Sequence, residues 1–183
     1  QTQVLHPQKP HQVGSCNIKD IIPSMNNVVN IKRAVEIAHK SKSEDKKIVL
    51  VGGCFDILHI GHIIFLEKAK KEGDILIVLL ESDESIRKSK GEGRPINNVV
   101  DRAKILSSLK FVDYVVALPE MGDHEYDNLI IKIKPDVIAT SKGDISDHHK
   151  KRQAKLTGAK LKYVTNMIKD SSTTNLIKLL GYF

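Results

Sequence analysis

His59 and His62 stand three positions apart in the string Gly52-Gly53-Cys54-Phe55-Asp56-Ile57-Leu58-His59-Ile60-Gly61-His62. The string follows IVLV at 48–51, a run apolar enough for a buried strand, and leads into a helical pattern from about Ile60 to Lys71. Residues i and i+3 share a helix face, so both imidazoles can project from one helix N-terminus. Backbone N–H groups and the helix dipole favour an anion there. Gly61 puts no side chain between the two rings, which lets a phosphate come close. Two other readings of the spacing stay open. One is a capped helix with surface imidazoles. The other is a metal site, for which no further Cys or acid falls at a suitable spacing. The loop has neither the Lys-Ser/Thr ending of a P-loop nor the three glycines of the dinucleotide fingerprint.

Such a loop needs a strand behind it and a helix ahead of it, and the pattern repeats along the chain. Buried strands are expected at 48–51, 74–80, 114–117, 136–140 and 161–164. Helices are expected at 28–41, 60–71, 98–110 and 125–133, with a last one from near Ser172 to Leu180. SKGEGRPIN at 89–97 reads as a Gly-containing loop, and residues 1–27, without apolar periodicity, as an extended or disordered arm. The domain proper is expected at 28–183. Strands separated by helices imply right-handed βαβ units, so the fold class is α/β: a Rossmann-like, five-stranded parallel sheet with helices on both faces. Ligands of such sheets bind at the carboxyl ends of the strands.

Composition narrows the chemistry. The chain has 183 residues and a net charge of +7, from 29 Lys and Arg against 22 Asp and Glu, which suits anionic partners. Aromatic residues make up 4% and Trp is absent, which disfavours nucleic-acid binding by base stacking. No apolar run approaches the ~20 residues of a membrane span, so no membrane partner is expected. The two cysteines, Cys16 and Cys54, make neither a disulfide framework nor a zinc spacing, and residues 1–15 lack the apolar core of a signal peptide. A reducing cytoplasm is the expected location. Cys54 lies near a helix N-terminus that can lower a thiol pKa. The cluster His148-His149-Lys150-Lys151-Arg152 reads as a solvated helix face.

GCFDILHIGH followed by a Lys-rich helix resembles the HxGH nucleotidyltransferase superfamily in its cytidylyltransferase-like branch. SDESIRKSKGEGRPIN (82–97), DRAKILSSLKFVDYVV (101–116) and SSTTNLIKLL (171–180) extend the likeness to the heptose-1-phosphate adenylyltransferases, over residues 28–180. The resemblance implies transfer of a nucleotidyl group from a triphosphate, ATP favoured, to a phosphorylated sugar such as heptose 1-phosphate, with release of pyrophosphate. A glycerol-3-phosphate-type cytidylyltransferase, an FAD-synthase-like adenylyltransferase and a catalytically silent nucleotide-binding module are the alternatives.

By the same resemblance, His59 and His62 stabilise the triphosphate charge. Gly53, Cys54 and Phe55 line the α-phosphate, and Ser172, Thr173 and Thr174 hold the outer phosphates. Lys90, Arg94 and Arg102 bind the acceptor phosphate. Mg2+ is the implied cofactor, with Asp56 as a candidate ligand, and a homodimer is a candidate assembly. Cys at position 54 is normal in the resembling family and reads as a packing residue. The chain departs from the family after its fourth strand, where Gly-Gly-Asp or Gly-Asp-Asp is usual. Ala139-Thr140-Ser141-Lys142-Gly143-Asp144 carries its Asp further along the loop, which bears on nucleotide binding by Asp144 and on base preference.

Overall fold

The computed structural model describes residues 26–166. Six strands form one sheet: β1 (Val28–Val29), β2 (Ile48–Gly53), β3 (Ile75–Leu80), β4 (Tyr114–Ala117), β5 (Val137–Lys142) and β6 (Lys160–Asn166). All neighbours are parallel, in the order β1-β4-β3-β2-β5-β6. The α/β class and the parallel sheet are as expected from sequence, but the sheet has six strands rather than five. The helices are α1 (Ile31–Ser43), α2 (Ile60–Lys70), α3 (Asp83–Lys90), α4 (Val99–Ser107), α5 (Asp123–Ile133) and α6 (Asp147–Thr157).

Alternation along the central strands builds a core on each face. Val49 and Val51 of β2, with Leu76, Val78 and Leu80 of β3, pack against Leu66 and Ala69 of α2 and Leu106 of α4. Ile48, Leu50, Ile77 and Leu79 point the other way, onto Ala34 and Ile37 of α1, Ile130 and Ile133 of α5 and Ala154 of α6. Burial on both faces explains why these strands read as continuous apolar runs.

The extra strand comes from Val28 and Val29, expected as the start of a helix. They pair instead with Val115 and Val116 at the sheet edge. Asn30 then caps α1, its side chain accepting the Arg33 N–H at 2.9 Å, so the helix begins only at Ile31. A second difference lies at 83–90. Lys90 ends α3 rather than lying in a loop, and only Gly91–Asn98 connects that helix to α4. The helix expected from Ser172 lies outside the described residues.

From β2 the chain lays down β3 and β4 on one side, then crosses to place β5 and β6 on the other. The connections therefore diverge at the carboxyl ends of β2 and β5, the crevice where open parallel sheets take ligands. The 54–59 loop and the loop after β5 both open into it.

Candidate active site

His59 is the N-cap of α2. Its Nδ1 accepts the Gly61 N–H at 3.1 Å, which fixes the neutral ring with its proton on Nε2. His62, one turn on, stacks on it with ring centroids 3.8 Å apart and an interplanar angle of 28°. Capping, one of the readings open from sequence, is thus real for His59, but His62 is no surface residue. It is half-buried, its ring lies 5.2 Å from that of Phe55, and its Nδ1 is enclosed without a partner in hydrogen-bonding geometry. Burial is the main force pushing the His62 pKa down to about 4; the neighbouring His59 and Lys90 add to it and the Ile57 backbone opposes it. Burial also lowers His59. No acidic side chain stands in the first turn of α2 to compete with an anion there.

The loop leading to the pair is held by packing. Phe55 takes a φ of +45° and turns its buried ring back over Gly53, where a Cβ would meet Phe55 Cε2 at 3.1 Å. Gly52 is constrained from the other face: a Cβ there would lie 2.5 Å from the Tyr126 hydroxyl. Cys54 Sγ lies 3.1 Å from Glu81 Oε2. Its pKa is pushed up to about 12, chiefly by burial and then by the Glu81 charge, against the pull of Lys90. Cys54 is therefore a protonated thiol in a packed position, and the helix N-terminus does not activate it.

Asp56, the candidate magnesium ligand, has both oxygens committed. Oδ2 accepts Arg94 Nε at 2.7 Å, and Oδ1 accepts the N–H groups of Ile96 and Asn97 at 2.8 and 3.0 Å. At 2% exposure this carboxylate clasps the 94–97 segment onto the end of β2 and does not face a ligand. Arg94 is 6% exposed, and its Nη2 is buried without a partner. A cationic nitrogen left unpaired inside a protein is costly.

Arg102 must be corrected as an acceptor-phosphate ligand. It is 0% exposed, and its guanidinium donates to Asn97 O, Cys54 O, Glu81 O and Asp83 Oδ1 at 3.0, 2.6, 2.9 and 2.5 Å. Every nitrogen is used inside the protein, tying together the ends of β2 and β3 and the loop before α4. Lys90, at the end of α3, is exposed and acts on both Cys54 and His62. Asp144 sits across the crevice in the loop after β5. It accepts the Ser146 N–H at 2.8 Å, pairs with Lys150 and receives the Thr140 hydroxyl at 3.3 Å. Burial pushes its pKa up, but Lys150 and these donors outweigh that and lower it, so Asp144 is ionised and partnered within its own loop. Ser172, Thr173 and Thr174 lie outside the described residues.

Two residues escaped the reading of the sequence. Glu81 is the first polar residue after the apolar run of β3, which marks it as a strand-end position. Tyr126, in α5, gave no sequence signal. Around 148–152 the charges are paired: Lys151 with Asp147 at 2.7 Å, and Arg152 with Asp127 at 3.0 Å. That matches a solvated helix face. Asp113 accepts Lys70 Nζ and the Leu76 N–H, each at 2.6 Å, bracing the turn before β4.

The chain belongs to the cytidylyltransferase-like family, whose model matches residues 50–178 and so takes in most of β2, the histidine pair and β3 to β6 of the sheet that carries them. Among its relatives is the bifunctional protein HldE of Campylobacter jejuni subsp. doylei, 47% identical over 131 residues, covering 69% of this chain and 28% of that protein. HldE of Aliarcobacter butzleri is 43% identical over 155 residues, covering 85% and 31%. The chain thus spans about three tenths of the length of these curated relatives. A lipopolysaccharide core biosynthesis protein from Thermoplasma volcanium has a crystal structure that is 32% identical, with a TM-score of 0.54, covering 67% of this chain and 97% of that one. Pantoate-beta-alanine ligase from Francisella tularensis, at 19% identity and a TM-score of 0.51, shares the fold, over 77% of this chain and 67% of its own. Among the described residues, no helix is long and apolar enough to cross a membrane.

Proposed function

We propose that this domain transfers a nucleotidyl group from a nucleoside triphosphate, ATP favoured, to the phosphate of a sugar such as heptose 1-phosphate, releasing pyrophosphate. The observation that carries the proposal is the stacked His59–His62 pair at the N-terminus of α2, with the His62 ring half-buried against Phe55. The relatives named HldE and the lipopolysaccharide core biosynthesis protein support a sugar-phosphate acceptor.

In the proposed reaction an acceptor phosphate oxygen attacks the α-phosphorus. The bond from the α-phosphorus to the bridging oxygen breaks, and that oxygen leaves with pyrophosphate. Catalysis of this kind is positioning plus stabilisation of developing charge. The His59 Nε2–H donates to a phosphate oxygen, and the desolvated His62 ring gains a proton more readily as negative charge builds beside it. Gly53 and the Cys54 backbone line the approach. Arg94 Nη2 and Lys90 receive the acceptor phosphate.

Among the described residues no three His, Cys, Asp or Glu gather into a cation site, and the Asp56 oxygens are committed, so this set does not fit a protein-held magnesium ion. Mg2+ enters the proposal as the triphosphate's counter-ion, since this metal commonly binds through substrate phosphates. A cytoplasmic location and a homodimer complete the proposal.

The test is a pyrophosphate-release screen of ATP, CTP, GTP and UTP against sugar 1-phosphates, glycerol 3-phosphate and FMN. Release with ATP and a sugar 1-phosphate is expected. Release with CTP and glycerol 3-phosphate alone would transfer the chain to the cytidylyl alternative, and no release with any pair would leave a silent binding module.

A further inference from the structure

Glu81 follows β3 directly, and its backbone is held on both sides. Its N–H donates to Gly53 O at 3.2 Å, and its carbonyl accepts Arg102 Nη2 at 2.9 Å. A side chain leaving so fixed a point is well placed to hold a ligand group in register. Its side chain turns toward the loop after β2, where Oε2 meets the Cys54 thiol at 3.1 Å and its charge bears on the Tyr126 hydroxyl. The hydroxyl end of Tyr126 lies in the space a Gly52 Cβ would take, so the phenol reaches the end of β2 from the opposite face of the sheet. Burial first, then Glu81 and Cys54, push the Tyr126 pKa up, so it stays a neutral O–H.

Among the described residues no Lys or Arg nitrogen comes within ion-pair distance of the Glu81 carboxylate, although Lys90 acts on the same Cys54 thiol. Nor do its neighbours form a group able to hold a metal. A half-buried carboxylate without a cation repels phosphate and accepts hydroxyl hydrogens well, two at once when the hydroxyls are adjacent. Two sources can supply such hydroxyls: the sugar of the acceptor and the ribose of the nucleotide. Position favours the acceptor. Glu81 lies at the end of β3, on the same side of β2 as Lys90 and the Arg94 segment, whereas the switch-point crevice opens on the β5 side.

We propose that Glu81, assisted by the Tyr126 hydroxyl, is the specificity-determining contact for a polyhydroxylated acceptor, its carboxylate receiving sugar hydroxyls while the acceptor phosphate lies toward Lys90 and Arg94. The proposal rests on the nucleotidyl-transfer reading above and names the acceptor class for that site. Such a pocket discriminates strongly, because an acceptor without the matching hydroxyl leaves the carboxylate enclosed and unpaired.

The experiment uses the full chain and steady-state pyrophosphate release, with ATP or 2′-deoxy-ATP as donor and heptose 1-phosphate or its singly deoxygenated analogues as acceptor. Glu81→Gln keeps the shape and removes the charge. The expected result is an acceptor KM raised at least tenfold, an ATP KM changed less than twofold and an unchanged unfolding temperature. For one deoxygenated analogue the variant and the wild type should differ by less than twofold. Tyr126→Phe should move the acceptor KM in the same direction by a smaller factor. A raised KM for ATP, with the Glu81→Gln effect lost on 2′-deoxy-ATP, would assign Glu81 to the ribose and overturn the proposal. Equal changes in both KM values, or none, would overturn it as well. If the wild type works only with hydroxyl-poor phosphates, nucleotidyl transfer stands and the role of Glu81 falls. If the wild type releases no pyrophosphate from any pair, both readings fall together.

Discussion

Arg94 Nε lies 2.7 Å from Asp56 Oδ2, with both side chains enclosed, while the Nη2 of the same guanidinium has no partner. One end of the arginine is anchored and the other is left unpaired. The anchor fixes where the free nitrogen points, and the carboxylate that does the fixing is held in turn by the backbone N–H groups of Ile96 and Asn97.

Arg94→Gln should therefore raise the acceptor KM about 10–100-fold, the loss of one charge-assisted contact, and change the triphosphate KM less than threefold. It also strands the Asp56 carboxylate, so stability should fall. Adding Asp56→Asn should recover much of the stability and none of the KM. Steady-state kinetics and urea unfolding of the single and double variants separate the two effects. Recovery of both together would make Arg94 a purely structural residue.

Arg102→Ala should act on folding. Removing a fully buried guanidinium leaves three carbonyls and the Asp83 carboxylate without their donor, at a cost of roughly 3–5 kcal/mol. Urea denaturation measures this. A stable variant with only the acceptor KM raised would restore Arg102 to the phosphate site.

Acid should destabilise the protein partly through His62. The unfolded chain takes up this proton near the ordinary value of 6.5, whereas the folded ring resists to about 4. Between those values the unfolded state binds more protons, so stability declines as pH falls, by at most about 1.4 kcal/mol per pH unit from this one group. In His62→Asn the decline between pH 6.5 and 4 should be shallower. Denaturant midpoints across that window test it, and parallel profiles would mean that His62 titrates normally.

Chain shortening tests the boundary near Val28. Asn27 accepts the Val115 N–H at 2.9 Å and donates to Ser107 O at 2.8 Å. A chain starting at Asn26 should keep its unfolding midpoint, and one starting at Val28 should lose on the order of 1 kcal/mol. A large loss from the shorter deletion would show that residues 1–25 belong to the domain.

The central strands were legible because Ile48–Val51 and Ile75–Leu80 are buried on both faces and leave unbroken apolar runs. β1 was hidden because two valines are too short for any periodicity and fit the following helical pattern equally well. In α3 only Ile86 is buried, so its signals were the Ser82 cap and the charges ordered along the helix dipole. The histidine pair was legible from spacing, since three positions on a helix dictate one face. The role of Arg102 was not, because a basic residue near a phosphate site looks the same in sequence whether its hydrogen bonds run outward to a ligand or inward to carbonyls. Glu81 and Tyr126 come from separate elements, the end of β3 and α5, and are brought near the end of β2 only by the sheet, so no local pattern joins them.

The most direct test of the account is the turnover number of His62→Ala, read as pyrophosphate release with ATP and heptose 1-phosphate both saturating. A ring that stabilises charge chiefly in the transition state should cost roughly 10²–10³-fold in kcat when removed, well beyond any loss in nucleotide affinity. A kcat within threefold of the wild type would contradict the account and leave His59 and His62 as a helix cap with a packed neighbour.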